Sequence, residues 1–161
     1  KYVALATGSV KDDKGVIETL VGRSPSDKRK QRAYLPQDPK SQNKRMAVTE
    51  YNVLKRFTKL SPAEGGSAEP NLTGVQNYTL LDANIKTGRK HQIRCHLAYI
   101  HHPIAGDKMY GFKDSSKPQN LNRQFLHASY LRIRLPDGEI KEFNSELPED
   151  LKGVINNLEN T

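Results

Sequence analysis

Residues 80–111 constrain the fold of this chain more than any other segment. The segment begins with an alternation of apolar and polar side chains, which is typical of a strand, and the pair Thr87-Gly88 interrupts it. Apolar residues then recur at helical spacing, namely Ile93, Leu97 and Ile100. The chain is therefore predicted to pass directly from a strand over residues 78–86 into a helix over residues 90–100.

The start of this predicted helix combines a candidate cap with positive charge. The hydroxyl of Thr87 can cap the helix, while Arg89 and Lys90 stand in its first turn, where cations oppose the helix dipole. An anion such as a nucleic-acid phosphate would compensate for this arrangement, because free backbone N–H groups and two cations would converge on it.

Arg94 lies at the edge of the apolar stripe, one helical turn from His91 and next to Cys95. A planar guanidinium in this position suits bidentate pairing with a carboxylate. Cys95 is the only cysteine, so it can form no internal disulfide, and its position predicts a buried thiol in a reducing compartment such as the cytoplasm.

The remaining segments predict an α+β fold with a mixed, mainly antiparallel sheet flanked by helices. Strands are expected over residues 2–7, 16–20, 45–57 and 124–135, and the turn at residues 136–138 predicts a hairpin into a strand over residues 140–144. A terminal helix is expected over residues 148–158 and a loop over residues 61–74. No signal peptide and no apolar run long enough to cross a bilayer occurs.

Residues 22–45 hold three prolines and much positive charge, and they predict a basic loop insertion rather than a regular element. The whole chain has a net charge of +8, which would attract a polyanion and make its binding fall steeply with salt. A solvated surface loop fits this composition as well as an RNA-binding loop does. The candidate contacts to an RNA backbone are Lys28, Arg29, Lys30 and Arg32.

Five motifs follow one another along the chain. They read Tyr2-x-Ala4-Leu5-Ala6-x-Gly8, Ala47-x-Thr49-x-Tyr51-x-Val53-Leu54, Thr87-Gly88-Arg89-x-His91-Gln92-Ile93-Arg94-x-His96, His102-Pro103-Ile104-x-Gly106-Asp107-x-x-Tyr110-Gly111 and Gln124-x-Leu126-His127-Ala128-x-x-Leu131. In content and order they resemble the RluA family of RNA pseudouridine synthases, and they cover nearly the whole chain.

The resemblance implies an enzyme that isomerises specific uridines in structured RNA, most often large-subunit ribosomal RNA and otherwise transfer RNA, without a metal or cofactor. It implies that Arg94 pairs with the catalytic aspartate and that Tyr2 contacts the flipped base. The candidate substrate-binding residues are Ile93, Leu126, Arg89, Lys90 and His91, although core packing suits the two aliphatic residues better. Asp107 is expected to hold a turn, and the spacing of the five histidines fits no zinc motif.

The family's catalytic aspartate lies in a His-Arg-Leu-Asp motif before the Tyr-x-Ala-Leu strand, and this run does not occur in the sequence. We therefore expect residues 1–161 to be the rear portion of a single catalytic domain and to be inactive alone. Exposed sheet edges would then pair with the N-terminal half or with a second copy of the chain. The alternatives are a non-catalytic basic RNA-binding module and a structural partner domain or unrelated basic enzyme.

Overall fold

The computed structural model describes residues 1–61, 74–112 and 117–160, which form two sheets and two α-helices. The main sheet has the order β3-β2-β4-β5-β1-β6, built from β1 (Tyr2–Thr7), β2 (Lys14–Arg23), β3 (Gln31–Tyr34), β4 (Arg45–Ser61), β5 (Gly74–Ile85) and β6 (Leu126–Ala128). A hairpin forms the second sheet from β7 (Tyr130–Arg134) and β8 (Ile140–Asn144). The helices are α1 (Gln92–Tyr99) and α2 (Glu149–Glu159).

All of these strand pairs are antiparallel. The α+β class expected from the sequence is therefore confirmed. No helix in the described ranges is both long enough and apolar enough to cross a membrane.

The centre of the main sheet is covered on both faces. Successive side chains of a strand point to opposite faces, and in β5 both Tyr78 and Leu81 are buried. Helix α1 lies on the face of Thr49, to which His96 of α1 is hydrogen-bonded, and Ala83 shares that face. Helix α2 lies on the other face, because its Glu159 pairs with Lys55, which is opposite Leu80. Its buried side chains are Leu151, Val154 and Leu158.

The expectation that residues 22–45 contain no regular element is wrong. Strand β3 lies in this segment and pairs with the end of β2, and a 3-10 turn covers Pro39–Ser41. The cause is burial, because Ala33 and Tyr34 are only 7% and 2% exposed and anchor the segment to the sheet. The basic side chains of the segment remain on its surface or half-buried.

Two further boundaries differ from the expectation. Helix α1 begins at Gln92 rather than at residue 90, because His91 adopts a left-handed backbone conformation with φ of 53°. The extended segment 124–135 is divided between β6 and β7, since the backbone N–H groups of Ser129 and Tyr130 donate to the carbonyl of Lys1. The loop expected over residues 61–74 lies outside the described residues, apart from its ends in β4 and β5.

Candidate active site

Arg94 is held by Asp107 in a buried bidentate ion pair. Its Nε lies 2.7 Å from Asp107 Oδ2, and its Nη2 lies 2.7 Å from Oδ1. The backbone N–H groups of Met109 and Tyr110 also donate to Oδ1, at 2.9 and 3.0 Å. The side chain of Asp107 is fully buried and that of Arg94 is 15% exposed, so folding fixes both groups.

The ion pair keeps both side chains charged. Burial opposes ionisation of Asp107, but the hydrogen bonds from Arg94 and from two backbone N–H groups outweigh it and hold the Asp107 pKa below its usual value. The same hydrogen bonds raise the pKa of Arg94. Asp107 was expected only to hold the local turn. Its carboxylate accepts from that turn and also fixes the position of the Arg94 guanidinium.

Tyr110 covers Arg94 and connects it to two other segments. The guanidinium carbon of Arg94 lies 5.0 Å from the centre of the Tyr110 ring. The hydroxyl of Tyr110 accepts from the backbone N–H of Gln31 at 2.7 Å and lies 3.1 Å from His91 Nδ1. Burial, followed by the charges of Arg94 and Lys90, lowers the pKa of His91, which favours its neutral form beside the Tyr110 hydroxyl.

A hollow of about 450 Å³ lies beside this pair, here termed the Arg94 hollow. Its lining residues are Asp27, Arg29, Lys30, Arg94, Gly106, Lys108, Met109, Asn122, Arg123 and Gln124. Arg29 and Arg123 are paired with Asp27 and Asp150, whereas Lys30 and Lys108 form no ion pair among the residues that the structure describes. Within the same residues, Nη1 of Arg94 has no hydrogen-bond partner. The hollow therefore offers two lysines and the unused guanidinium N–H groups of Arg94 to a ligand.

The turn before α1 is organised by a glutamine. Gln92 is 3% exposed, and its Oε1 accepts from the Thr87 hydroxyl and from the backbone N–H of Arg89. Its Nε2 donates to the carbonyl of Val48 and to Thr49 Oγ1. The sequence predicted that Thr87 caps α1, but its hydroxyl oxygen accepts from the backbone N–H of Val48 instead, and no side chain among the described residues caps the helix.

Tyr2 lies on the sheet face that carries α1. It is opposite Ala83 of β5, which is opposite Tyr51 on its other side, so the three side chains share one face. Thr49, two residues before Tyr51, shares this face and contacts His96 of α1. Tyr2 is half-buried and is not among the described residues that line the Arg94 hollow.

The other predicted substrate contacts are divided between the core and the surface. Ile93 is 5% exposed and belongs to the hydrophobic core. Leu126 is half-buried and pairs with Ala4, on the same sheet face as Tyr2. Arg89 donates from Nε to the carbonyl of Met46, and it lines a second hollow with Lys90.

The four candidate contacts to an RNA backbone are not equivalent. Lys28 is exposed, and Lys30 lines the Arg94 hollow. Arg29 is engaged by Asp27 through two hydrogen bonds of 3.0 and 2.9 Å. Arg32 stands over the ring of Tyr34, with its guanidinium carbon 5.2 Å from the ring centre.

Sequence reasoning missed Tyr110, Gln92 and the pairing role of Asp107. All three residues lie inside the two longest motifs, and this position could have marked them as candidates. The motifs do not show which side chains contact one another. In the part of the chain that the structure describes, no group of three His, Cys, Asp or Glu side chains is arranged to hold a metal ion.

Comparison with known proteins identifies the family. Residues 1–99 match the model of the family described as RNA pseudouridylate synthase. The human protein RNA pseudouridylate synthase domain containing 1 has a solved structure that superposes with a TM-score of 0.71 at 25% identity, covering 95% of this chain and 57% of that one. The chain belongs to the RluA family of RNA pseudouridine synthases.

Two relatives match this chain over almost its full length. The uncharacterized RNA pseudouridine synthase YlyB of Bacillus subtilis (strain 168) is 36% identical over 98% of the chain and 43% of its own length. The ribosomal large subunit pseudouridine synthase D of Nitrosomonas europaea is 34% identical over 99% of the chain and 40% of its own length. The chain thus spans less than half the length of either relative.

Proposed function

We propose that this chain supplies the Arg94 side of the active site of an enzyme that isomerises uridine in RNA. The observation that carries the proposal is the Arg94–Asp107 ion pair, which uses two guanidinium N–H donors and leaves Nη1 available beside a cationic hollow. The hollow, of about 450 Å³, lies within the range of roughly 300–1,000 Å³ that is usual for small-molecule sites. Membership of the pseudouridine synthase family supports the same reaction.

The proposed reaction is an isomerisation. The bond between C1′ and N1 of uridine breaks, the base turns, and C1′ bonds to C5, while C5 loses a proton and N1 gains one. The numbers of atoms and electrons are unchanged, so the proposal requires no redox cofactor. The base must leave its stack to reach the enzyme, which costs a few kcal/mol.

Arg94 would act on a carboxylate supplied by the family's His-Arg-Leu-Asp motif. A guanidinium beside a carboxylate favours its charged form, and a guanidinium carries more N–H donors than Asp107 uses. Because Asp107 and Tyr110 fix Arg94 before substrate arrives, the remaining N–H groups are preorganised. Tyr2 and Leu126, on the same sheet face as α1, would contact the base, while Lys30 and Lys108 would contact phosphate.

Large-subunit ribosomal RNA is the proposed substrate, with transfer RNA as the alternative. The support is that the Nitrosomonas europaea relative is named a ribosomal large subunit pseudouridine synthase. A cytoplasmic location accords with this substrate and with the free, buried thiol of Cys95. Residues 1–161 would form the rear portion of one catalytic domain, with the sheet edges at β3 and β6 available to an N-terminal half or a second copy.

Substitution of Arg94 tests the function, in a protein that joins this chain to the family's aspartate motif. We expect Arg94→Ala to lower the rate of pseudouridine formation by at least about 100-fold, because the carboxylate loses its cation, while RNA affinity changes only a few-fold. Arg94→Lys should recover little, since a lysine cannot bridge Asp107 and a second carboxylate in the same geometry. The measurement is single-turnover formation of pseudouridine, with RNA binding measured in parallel.

The matched control is Arg132→Ala on the hairpin, where Arg132 forms an exposed ion pair with Glu142. This variant should retain the normal rate. A near-normal rate for Arg94→Ala would remove Arg94 from the active site. RNA binding without any turnover by the unsubstituted protein would favour the non-catalytic RNA-binding module.

A further inference from the structure

A second hollow lies next to the Arg94 hollow and has no part in the proposed chemistry. It measures about 330 Å³ and lies where the end of β2, the starts of β3 and β4 and the turn before α1 meet. Its lining residues are Val21, Gly22, Arg23, Gln31, Asn43, Arg45, Gly88, Arg89 and Lys90, and it is here termed the Arg45 hollow.

The lining of the Arg45 hollow carries positive charge without compensation. Four of its residues are Arg or Lys, and none is Asp or Glu. Arg23, Arg45 and Lys90 form no ion pair with any residue that the structure describes, which distinguishes them from Arg29 and Arg123 in the Arg94 hollow. Like charges held this close repel one another, so an anion bound between them would be stabilised.

The fold fixes the backbone positions of these cations. Strand pairing places Arg45 opposite Val21 and Arg23 opposite Gln31. Arg89 donates from Nε to the carbonyl of Met46 at 2.9 Å, which orients its side chain and leaves its terminal nitrogens available. Arginine forks of this kind match the oxygens of a phosphate group.

The wall of the Arg45 hollow also contains groups that suit a phosphate. A Cβ added at Gly88 would meet no atom within 4 Å, so a ligand can approach the backbone there. The amide side chains of Gln31 and Asn43 add neutral donors to the lining.

The two hollows adjoin along two short segments. Lys30 lines the Arg94 hollow, and its neighbour Gln31 lines the Arg45 hollow. The backbone of Gln31 is hydrogen-bonded to the hydroxyl of Tyr110, whose ring covers Arg94. Lys90, in the turn before α1, likewise precedes Arg94 by only four residues. A strand with one nucleotide at Arg94 would therefore extend into the Arg45 hollow.

We propose that the Arg45 hollow binds the backbone phosphate of the RNA strand next to the target uridine. The inference rests on the proposed function, which places the target uridine at Arg94 and so sets the path of the RNA strand. It adds Arg23 and Arg45 to the proposed RNA-binding surface. Contacts to phosphate carry no sequence information, so the hollow positions the RNA without choosing it.

A pair of double variants of the full chain tests the inference. Arg23→Gln/Arg45→Gln removes two charges from the hollow, and Arg132→Gln/Lys141→Gln removes two from the β7–β8 hairpin. The probe is fluorescently labelled oligouridine, and its affinity is measured over a series of salt concentrations. We expect the hollow variant to flatten the slope of log affinity against log salt by up to about 1.4, at about 0.7 per lost phosphate contact, and the hairpin variant to leave it unchanged.

Three outcomes would overturn the inference. One is a hollow variant with the slope of the unsubstituted chain, provided that circular dichroism shows both folded. Another is an equal flattening of the salt slope in both double variants, which would indicate that RNA binding depends on the net charge of the chain and not on the hollow. The third is displacement of oligouridine by inorganic phosphate, beyond the effect of chloride at equal ionic strength, that is as strong in the hollow variant as in the unsubstituted chain, which would place the phosphate site elsewhere. The affinity assay needs no turnover, so the two proposals can fail separately. If the hollow variant kept the salt slope of the unsubstituted chain while the protein joined to the aspartate motif isomerised uridine, the phosphate site would be refuted and the proposed function would stand.

Discussion

His96 shows how a single buried side chain sets the pH range in which this protein is stable. Its Nδ1 lies 2.9 Å from Thr49 Oγ1, and its Nε2 lies 3.1 Å from Thr19 Oγ1. Burial lowers the pKa of His96 to about 4, whereas an unfolded histidine titrates near pH ~6.5. The unfolded chain therefore binds more protons between these values, and stability falls as the pH drops through this window.

Replacing His96 with Gln should reduce this pH dependence. In the unsubstituted chain the free energy of unfolding should fall by up to about 1.4 kcal/mol for each pH unit in the window, because one proton is taken up on unfolding. His96→Gln should lose the part of that slope that His96 contributes between pH ~6.5 and ~5, as measured by urea unfolding at several pH values, while His91, whose pKa is also lowered, still contributes. His101→Gln, at an exposed position, is the control and should keep it. Equal slopes in all three proteins would contradict the assignment.

The residues of the candidate site could be predicted only in part from the amino-acid sequence. The motif and the place on the helix singled out Arg94, and its pairing with the family's catalytic aspartate stays a prediction. The partner present in this chain, Asp107, follows a turn whose path depends on Gly106 and on packing against Arg123. Helical periodicity carries no information about such a tertiary contact, so Asp107 was assigned only to a turn.

Among the elements, the turn after α1 depends on a glycine that no other residue can replace without strain. Gly106 has a φ of +74°, and a Cβ there would collide with the backbone oxygen of Arg123 and lie 2.9 Å from Leu121 Cδ2. Gly138, in the β7–β8 turn, has a φ of +89° but open space around it. Substitutions at these two positions therefore distinguish the cost of backbone strain, which both share, from the cost of steric overlap, which only Gly106 has.

Gly106→Ala should destabilise the protein more than Gly138→Ala does. The hairpin variant should lose about 1 kcal/mol from the left-handed backbone alone. Gly106→Ala should lose roughly 3 kcal/mol or more, because the backbone of Arg123 must also move. Thermal or urea unfolding of both variants gives the comparison, and similar losses would show that the overlap is relieved without cost.

Elements with a clear apolar pattern or turn signal were predictable, whereas the others depended on tertiary contacts. Apolar alternation and turn residues predicted β1, β8 and the helix α2 close to their observed limits. Strand β3 was missed because its four residues include two polar side chains and only pairing with β2 and burial of Tyr34 make it a strand. The start of α1 was misplaced by two residues because His91 adopts a positive φ, which sequence periodicity does not reveal.

For the whole molecule, the fold brings basic segments from distant parts of the chain to the same side as α1. Residues of β2, β3 and β4, the turn before α1 and the segment around Lys108 all line the two adjoining hollows. Acidic residues are instead frequent around β8 and at the start of α2, namely Glu139, Glu142, Glu146, Glu149 and Asp150. This separation of charge would orient the protein as it approaches RNA.

The chain of 161 residues should form no pseudouridine by itself. The reason is chemical, because the His-Arg-Leu-Asp run that supplies the family's carboxylate does not occur in its sequence. Adding a separate polypeptide that carries this run should restore activity if the two associate, and the same polypeptide with its aspartate changed to asparagine is the control. Turnover by the chain alone would mean that another group performs the reaction.

The bidentate contact between Arg94 and Asp107 also has an entropic consequence. A free arginine side chain samples many rotamers, and restricting it on binding costs up to about 2 kcal/mol. Here that ordering has occurred during folding, since two short hydrogen bonds and an aromatic ring already restrain the guanidinium. A nucleotide bound at the proposed site would thus meet a rigid donor, and its own binding energy would remain available for extracting the base from the RNA helix.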